Sequence, residues 1–427
     1  MSEFYNSYLV LQQILEDGAY ANIALSKQDF ENQSKVTVIT YGVLENYFLI
    51  NKILKHLIKK EPDNKVKIIL QIGVFSILNL KTPNYVVVNE CVNLVKKINQ
   101  KSAAGFVNAV LKKVCNKEYK VDENDPESLY NIPLWLYKKI KTQYPLHYKD
   151  ILKKSNDNTL EFRLRHNLEE SDIFDKQEVD NFLSWLEDAI LKKEVRKLAC
   201  GYSGKIDDFL KKGFEKGFAT AQSHGSILIC KLFGNVEGAY ILDACAAPGG
   251  KSIYLAEHGA KIDALEIHEH RVELIKAYAK RMKVNINTFL EDSTIENTIR
   301  NDLYDAVLVD APCSGLGVLN KRQDIALNIK ESDITALSNI QFQLISNCAN
   351  YIKKDGFLIY STCTFLREEN EGIIERFLKQ NANFELCNIT PIDCEKDNHL
   401  DDFRFLKLLP NINSNEGFFA AKLVKIC

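Results

Sequence analysis

Two cysteines and one aspartate at the ends of apolar runs are the residue types that a covalent reaction on a pyrimidine needs. Asp310 and Cys313 belong to the stretch DAPCSG, and Cys363 belongs to STCT. C5 of a pyrimidine is a poor nucleophile, but a thiolate that adds to C6 makes C5 able to take a methyl group. A second group must then remove the C5 proton so that the thiol leaves, while an acid protonates or hydrogen-bonds N3. Asp310 is placed for this last task.

A single cysteine at a strand end is most often only a small buried residue. Cys313 and Cys363 are flanked by Pro, Ser, Thr and Gly, and Cys313 follows an aspartate by three residues. This arrangement favours a pair of reacting thiols over two packing residues.

A glycine-rich stretch, DACAAPGGKS at 243–252, precedes these residues. Gly249 and Gly250 let the backbone approach a ligand closely, and a helix that begins behind them presents free N–H groups to it. The stretch lacks the GxxxxGK[ST] spacing of a Walker loop. It therefore predicts a nucleotide held at a strand end, with an ordinary strand-to-helix turn as the alternative.

Two acids strengthen the nucleotide prediction. Glu266 closes the next strand and suits hydrogen bonds from both ribose hydroxyls, whereas Asp292 closes the third strand and suits an adenine amino group. An acid at a strand end is usually a helix cap or turn former, but a glycine loop and two acids on three consecutive strands weaken that explanation. No second glycine fingerprint follows, which favours S-adenosylmethionine over a dinucleotide.

The elements that must position these residues alternate between strand and helix from Tyr240 onward. Strand-like runs occur at 239–246, 261–267, 288–292, 304–310 and 357–363, and helical patterns at 250–258, 268–283, 331–352 and 367–379. Such alternation predicts a parallel sheet covered on both faces, with ligands at the carboxyl ends of its strands. If the fourth and fifth strands are neighbours, Cys313 and Cys363 reach the same edge.

The first part of the chain predicts an all-helical domain. Helical spacing occurs at 4–26, 38–60, 65–80, 89–98 and 105–114, with a break at 81–84 and an acidic connector at 121–128. Lysines outnumber acids over the first 150 residues, which fits either a solvated helical surface or one that faces phosphates. Candidate phosphate contacts are Lys55, Lys59, Lys60, Lys112 and Lys113.

The segment from 126 to 225 predicts linker helices and a small α+β subdomain. LEFRLRHN at 160–167 alternates like a strand, and a helix is expected at 177–191. Arg163 and Arg165 lie two residues apart and would share one strand face, either solvated or contacting an RNA backbone.

Composition limits the remaining possibilities. The 427 residues are 46% hydrophobic with a formal net charge of -2, which predicts two or three domains and argues neither for nor against nucleic acid. The N-terminus does not resemble a signal peptide, and no run approaches 18 apolar residues. The eleven cysteines form no CxxC pair and are expected to be reduced. We therefore expect a cytoplasmic protein with no metal site and no membrane span.

Longer motifs resemble known families. Residues VITYGVLENYFLINKIL, LQIGVFSILNLKTPNYVVVNECVNLVKK and GFVNAVLKKV are similar to the NusB-like RNA-binding module, over most of 4–115. DACAAPGGKS, ALEIHEHR, LEDST, DAPCSGLGV, STCTFLREENEGIIERFL and EGFFAAKL resemble the RNA cytosine-C5 methyltransferase family, over about 225–427. The whole chain resembles the RsmB/Sun/Fmu family, which methylates 16S rRNA in bacteria.

This resemblance implies a fold, a partner and site residues. It implies a NusB-like all-α domain at 1–125, a linker and small α+β RNA-binding subdomain at 126–225, and a Rossmann-like α/β S-adenosylmethionine methyltransferase domain at 226–427. Cys363 matches the nucleophile and Cys313 the residue that releases the product. The positions that match cofactor contacts are Cys245, Ala246, Ala247, Pro248, Gly249, Gly250, Lys251, Glu266, Asp292 and Asp310.

Three positions depart from the family pattern. Glu266 stands where the family usually has Asp, Gln323 replaces the proline of an HPD-like turn, and Ser223 replaces the acid of a VQD motif. We expect the last two near the substrate and cofactor edges, so they bear on the identity of the target more than on the type of reaction.

The alternatives are a tRNA cytosine-C5 methyltransferase and a non-catalytic NusB-type RNA-binding protein. A DNA cytosine-C5 methyltransferase takes its nucleophile from the PC motif, so the separate TC motif favours RNA over DNA. We expect RNA, most simply 16S rRNA, as the partner of a monomer.

Overall fold

The computed structural model describes residues 2–27, 30–122, 124–154, 159–389 and 404–426. The chain divides into two compact units, one holding 1–148 with 321–331 and the other holding 149–320 with 332–427. They are called the helical unit and the α/β unit below. The domain boundaries expected at 125 and 225 stay predictions. Of the eleven cysteines, Cys394 and Cys427 lie outside the described residues, and the other nine are free.

The helical unit is built from helices over its described length. These are α1 (Glu3–Leu15), α2 (Ala21–Ser26), α3 (Gln33–Glu45), α4 (Tyr47–Leu57), α5 (Asn64–Asn79), α6 (Asn84–Lys97), α7 (Ala104–Cys115), α8 (Pro126–Tyr130), α9 (Leu134–Gln143) and, from the later segment, α16 (Asp324–Asn328). The prediction of a single helix at 38–60 was wrong, because the chain turns at Asn46 between α3 and α4. Pro83 precedes α6, as the break at 81–84 predicted.

Helix α5 lies at the centre of this unit. Every residue from Ile68 to Ser76 is buried, which confirms the central helix predicted from its apolar faces. At Gly42 of α3, a Cβ atom would lie 1.9 Å from the ring of Phe75, so the glycine lets α3 and α5 approach closely. Close packing of this kind makes α5 the core element of the bundle.

A segment from the C-terminal half of the sequence joins the helical unit at 321–331. Asp324 is buried and its Oδ2 accepts a hydrogen bond from Ala21 N at 3.3 Å. The Arg322 guanidinium lies 4.3 Å from the ring centroid of Tyr20. Asn131 Nδ2 donates to Gln323 Oε1 at 3.3 Å. Gln323, which we expected at a substrate edge, therefore contacts α8's end in the helical unit.

The α/β unit contains two sheets. A four-stranded antiparallel sheet has the order β2-β3-β1-β4 and an eight-stranded sheet has the order β10-β12-β9-β8-β5-β6-β7, with β11 paired to β12. The strands are β1 (Leu160–Leu164), β2 (Val195–Leu198), β3 (Gly201–Gly204), β4 (Ala219–Ala221), β5 (Tyr240–Asp243), β6 (Lys261–Glu266), β7 (Asn287–Leu290), β8 (Tyr304–Asp310), β9 (Ile352–Thr362), β10 (Phe384–Leu386), β11 (Leu406–Leu408) and β12 (Phe418–Lys425).

Helices connect these strands. They are α11 (Lys176–Leu191), α12 (Asp208–Lys216), α13 (His224–Lys231), α14 (Gly250–Glu257), α15 (Glu269–Arg281), α17 (Glu331–Ala349) and α18 (Glu371–Gln380), while α10 (Tyr148–Ile151) lies where the two units meet in sequence. Strands β9, β8, β5, β6 and β7 are mutually parallel. This confirms the α/β sheet predicted from the alternation.

Strand order reverses at β5. The chain goes from β5 to β6 and β7 on one side, and then to β8 and β9 on the other. The carboxyl ends of β5 and β8 therefore border the crevice where open α/β sheets bind ligands. Strands β10, β11 and β12 add an antiparallel edge that alternation alone did not predict.

The arginines of β1 correct a prediction. Arg163 is 5% exposed, its Nη1 lies 2.6 Å from Glu257 Oε2, and its Nε donates to Gln222 Oε1 at 2.6 Å. Arg165 donates to the carbonyl of Met282. Neither side chain is the solvated or RNA-facing group that alternation predicted, because both lie between the small sheet and α14–α15.

Among the described residues, none of the helices has both the length and the apolar character needed to cross a bilayer.

Candidate active site

The glycine-rich loop follows β5 and opens α14. Gly249 has φ of +109°, a conformation that favours glycine, and precedes the first helical residue, Gly250. A Cβ atom at Gly250 would meet no atom of the described chain within 4 Å. Gly249, at the N-cap position of α14, supplies no side-chain cap. The start of α14 is therefore accessible at Gly250, and an accessible helix N-terminus suits an approaching ligand.

The residues before the glycines anchor the loop to its flanking strands. Ala244 N donates to Leu308 O of β8 at 2.9 Å, and Ala246 N donates to Leu265 O of β6 at 3.0 Å. Cys245 is half-buried, Ala246 is buried, Ala247 is half-buried and Pro248 is exposed. The loop is thus fixed at the switch point of the sheet while its outer part stays accessible.

Glu266 is the last residue of β6 and is 4% exposed. Its Oε1 accepts from His268 N at 3.0 Å, and its carboxylate pairs with the Arg271 guanidinium at 3.4 Å. Arg271 also donates to Ala247 O at 3.1 Å. Sequence reasoning missed this arginine, which joins the acid of β6 to the glycine loop.

Asp292 lies two residues beyond β7. Its Oδ1 accepts from Thr294 N at 2.8 Å and from Thr294 Oγ1 at 2.7 Å. Within the described residues, Oδ2 accepts no hydrogen bond from the protein. The free carboxylate oxygen, the acid on β6 and the open helix N-terminus fit the hydrogen-bonding groups of an adenosine.

Asp310, the last residue of β8, is paired with a lysine of the glycine loop. Its Oδ2 lies 2.6 Å from Lys251 Nζ, and its Oδ1 accepts from Ser361 Oγ at 2.8 Å. Burial opposes the charged form of Lys251, but the charge of Asp310 and the hydrogen bond outweigh it and raise the pKa of Lys251 to about 12. The loop therefore brings a permanent cation to the end of β8.

Beneath this pair, burial raises the pKa of Asp243 to about 6, although Ser252 Oγ donates to Asp243 Oδ2 at 2.6 Å. This bond ties the end of β5 to the first turn of α14. It helps to fix the loop from which Lys251 reaches Asp310.

The two cysteines meet at the same sheet edge. Strands β8 and β9 are neighbours with Asp310 opposite Ser361, so Cys313 and Cys363 follow three and two residues beyond one register position. Their Sγ atoms are 3.3 Å apart and both residues are half-buried. The hydrogen bond with Cys363, and then burial, raise the pKa of Cys313 well above its usual value. Cys313 is therefore held in its protonated form in the resting site.

A close backbone contact holds the loop after Cys313 against the end of β9. Gly317 N donates to Cys363 O at 2.9 Å, and Gly317 O accepts from Gly417 N at 2.7 Å. A Cβ atom at Gly317 would lie 2.1 Å from Gly417 O. Only a glycine fits this approach. The second glycine of CSGLG was the signal that sequence reasoning left unused.

Ser223 immediately precedes α13, and its side chain does not cap the helix. Glu161 of β1 supplies the missing carboxylate, since its Oε2 accepts from His224 N at 2.7 Å. A carboxylate of β1 therefore accepts from the first N–H group of α13.

Comparisons with known proteins agree with this architecture. Residues 231–424 match the family model of the 16S rRNA methyltransferase RsmB/F, and residues 6–116 match the NusB family. The chain is 27% identical to ribosomal RNA small subunit methyltransferase B of Shewanella oneidensis, covering 96% of each chain. It is also 27% identical to the protein of that name in Photorhabdus laumondii, covering 97% of this chain and 96% of the relative.

Two solved structures share the fold. The crystal structure of PH0851 aligns with a TM-score of 0.80 at 22% identity, covering 100% of this chain and 99% of that one. A methyltransferase homolog protein from Pyrococcus horikoshii aligns with a TM-score of 0.55 at 22% identity, covering 72% of this chain and 100% of that one. At this identity the likeness concerns the fold alone.

Proposed function

We propose that the chain, whose residues 231–424 match the family model of the 16S rRNA methyltransferase RsmB/F and whose residues 6–116 match the NusB family, methylates C5 of a cytosine through a covalent cysteine adduct. Methylation of rRNA with S-adenosylmethionine is the activity of this enzyme class. The single observation that carries the finer proposal is the 3.3 Å separation of Cys313 Sγ and Cys363 Sγ. Two thiols at this distance, beside the glycine loop, fit a reaction that needs one to add and one to release.

The proposed reaction begins at Cys363. Its thiolate adds to C6, forming an S–C6 bond and making C5 nucleophilic enough to accept a methyl group. A base must next remove the C5 proton, after which the C5–C6 double bond re-forms and the S–C6 bond breaks. We assign this release to Cys313, as the family resemblance implies. Its proton must first leave, because the raised pKa keeps Cys313 a thiol in the resting site.

Asp310 and Lys251 support the charge that develops at N3. An acid must protonate or hydrogen-bond this nitrogen when the thiolate adds. Sequence reasoning assigned the task to Asp310 alone, but its carboxylate accepts from Lys251 and Ser361. We therefore assign the task to the Lys251–Asp310 pair, which holds both a carboxylate and a proton donor within 2.6 Å of each other.

The cofactor supplies the methyl group when bound. We propose that it is held by the glycine loop and the acids that follow it, at Cys245, Ala246, Ala247, Pro248, Gly249, Gly250, Lys251, Glu266, Asp292 and Asp310. Glu266 and Asp292 would accept hydrogen bonds from an adenosine, and the open N-terminus of α14 would face its polar tail. The residues present fit the group on these grounds.

The NusB-family domain is proposed to contact the RNA. Five exposed lysines on α4, α7 and the turn after α4 are the candidates, namely Lys55, Lys59, Lys60, Lys112 and Lys113. Cations at an RNA surface neutralise phosphates without reading sequence. A cytoplasmic location, a monomeric state and the exclusion of DNA stay predictions.

Two cysteine variants test the proposal. Cys363→Ala is expected to abolish methylation while cofactor binding by calorimetry survives, because only the nucleophile is lost. In Cys313→Ala, Cys363 is expected to add to C6 and C5 to accept the methyl group, but the product should not be released. A denaturation-resistant protein–RNA band should therefore accumulate. The matched control is Cys91→Ala, a buried cysteine of α6 in the helical unit.

Normal turnover by Cys363→Ala would remove Cys363 as the nucleophile. Normal turnover by Cys313→Ala without any adduct would remove the release role. Bisulfite sequencing of rRNA and tRNA from a deletion strain identifies the target. Loss of one 5-methylcytosine in 16S rRNA is expected, whereas a loss confined to tRNA would favour the tRNA alternative and no loss would favour a non-catalytic RNA-binding protein.

A further inference from the structure

A buried carboxylate lies between the loops that carry the two cysteines. Glu369 ends the 3-10 turn Arg367–Glu369, just before α18, and is 0% exposed. Within the described residues, no Lys, Arg or His lies within ion-pair distance of it. Burial raises its pKa, although hydrogen bonds from Ser314 oppose the shift. An acid in such a place is costly unless hydrogen bonds compensate for its burial.

Both oxygens of Glu369 bind the residue that follows Cys313. Ser314 N donates to Oε1 at 2.8 Å, and Ser314 Oγ donates to Oε2 at 2.6 Å. Gln341 Nε2 of α17 donates to the same Oε1 at 3.1 Å and to Pro312 O at 2.9 Å. The residues on either side of Cys313 are thus held, directly or through Gln341, by one carboxylate.

The same corner holds the residues around Cys363. Ser314 Oγ is hydrogen-bonded to Thr364 Oγ1 at 2.9 Å. The neighbour of Glu369, Asn370, is also fully buried, and its Oδ1 accepts from Thr362 Oγ1 at 2.6 Å. Asn370 Nδ2 donates to Thr364 O at 3.0 Å. Thr362 and Thr364, on the two sides of Cys363, are therefore tied to the turn that carries Glu369.

The backbone of Glu369 is fixed as well, because its carbonyl accepts from the hydroxyl of the buried Tyr360 at 2.6 Å. The backbone from which the carboxylate reaches Ser314 is therefore itself hydrogen-bonded to β9. Hydrogen bonds from several donors to one buried acceptor define positions more tightly than apolar packing does.

We propose that Glu369 is a positioning residue that sets the separation of the Cys313 and Cys363 sulfur atoms by binding Ser314 and, through it, Thr364. This inference rests on the proposed two-cysteine reaction. Glu369 touches neither sulfur, so its effect passes through the two loops. Misplacing reacting atoms by about 1 Å can cost roughly 100-fold in rate. We therefore expect substitution of Glu369 to affect the methylation rate more than the stability of the fold.

Three substitutions separate geometry from charge. Glu369→Ala removes the acceptor altogether. Glu369→Gln keeps the length of the side chain, since its oxygen can accept from Ser314 N and its amide can donate to Ser314 Oγ. Glu369→Asp keeps the carboxyl but shortens the arm by one methylene. The matched control is Glu375→Ala, which removes a glutamate of α18 that is exposed and pairs with Arg367.

Single-turnover methylation of rRNA is measured with each variant, together with the KM for RNA and cofactor affinity. We expect Glu369→Ala to lower kcat about 10- to 100-fold with KM and cofactor affinity changed less than about 3-fold. Glu369→Gln is expected to recover most of the rate, and Glu369→Asp to be slower than Glu369→Gln. The positioning role of Glu369 would be overturned if Glu369→Asp were as fast as Glu369→Gln. It would also be overturned if Glu369→Ala kept the wild-type kcat.

A second readout needs no RNA. The full chain is equilibrated in glutathione redox buffers, and the Cys313–Cys363 disulfide is quantified by peptide mass spectrometry. Each disulfide formed from two thiols reduces one glutathione disulfide to two glutathione thiols. In the wild type the disulfide is expected, and in Glu369→Ala its equilibrium constant should fall at least about 10-fold because the sulfurs are no longer held together.

This readout also distinguishes the two proposals. If Cys363→Ala still methylates RNA, the two-cysteine reaction fails, yet the disulfide equilibrium still judges whether Glu369 sets the sulfur separation. An unchanged equilibrium in Glu369→Ala, or a wild type that forms no such disulfide, contradicts the inference. Should Glu369→Ala not fold, the comparison of the Asp and Gln variants decides by itself.

Discussion

The carboxyl edge of the large sheet has two halves that are assembled in different ways. In the half formed by β5, β6 and β7, the two acids contact near neighbours in sequence, as Glu266 does His268 and Asp292 does Thr294. In the half formed by β8 and β9, the contacts span the sequence. Cys313 and Cys363 are 50 residues apart, and Ser314 and Glu369 are 55 apart.

The difference separates binding from chemistry. Local hydrogen bonds are enough to place the two acids that hold a nucleotide, because a ligand tolerates small shifts through its own flexibility. Two sulfurs that must alternate on one pyrimidine ring need a fixed separation, and only cross-strand contacts provide it. We therefore expect substitutions in the β8–β9 half to lower kcat and substitutions in the β5–β7 half to raise the KM for the cofactor.

The largest effect is expected from Asp310→Asn. Loss of the carboxylate removes the partner of Lys251, so charge at N3 is no longer supported and kcat should fall about 100- to 1000-fold. Burial then dominates and lowers the pKa of Lys251 from its wild-type value of about 12. As the pH is raised, Lys251 should therefore lose its proton earlier than in the wild type, and the remaining activity should be lost earlier too. A pH series of single-turnover rates checks both expectations. A loss seen only in cofactor KM would erase the contrast between the halves.

An intermediate effect is expected from Glu266→Ala. Removing one hydrogen-bonded carboxylate costs about 1.5 to 3 kcal/mol of binding, so cofactor affinity should weaken about 10- to 100-fold with kcat at saturation nearly unchanged. Calorimetry with S-adenosylhomocysteine and steady-state kinetics provide the measurement. Glu269→Ala, a nearby exposed acid in the first turn of α15, is the control. A fall in saturated kcat would place Glu266 with the reaction half instead.

The smallest effect is expected from the double substitution of Lys112 and Lys113 by alanine. Two exposed cations at the end of α7 should contribute only to phosphate attraction, so the KM for RNA should rise a few-fold. The slope of log affinity against log salt should become shallower by about 1 to 2. Filter binding at several salt concentrations checks this. Unchanged salt dependence would exclude these lysines from the RNA surface. An altered kcat would show that residues outside the β8–β9 half also affect the reaction.

Sequence reasoning failed where a residue's environment comes from a distant strand. Alternation in LEFRLRHN predicted an accessible face for Arg163, but α14 brings Glu257 against it, 94 residues away. The contact of Gln323 with Asn131 of the helical unit was also not predicted, whereas the expected place of Gln323 near the substrate stays a prediction. Neither partner is visible from local periodicity, because a pattern shows which residues share a face and not what covers that face.

By itself the sequence determined the helical first part, the parallel sheet, the cofactor class and the two candidate cysteines. These follow from periodicity, from glycines at a strand-to-helix turn and from residue types at strand ends, all of which are local properties. Only the tertiary structure decided that β8 and β9 are neighbours, that Lys251 pairs with Asp310, and that Glu369 lies between the cysteine loops. Strand order and cross-strand contacts depend on how the whole chain packs, so no short stretch of sequence could encode them alone.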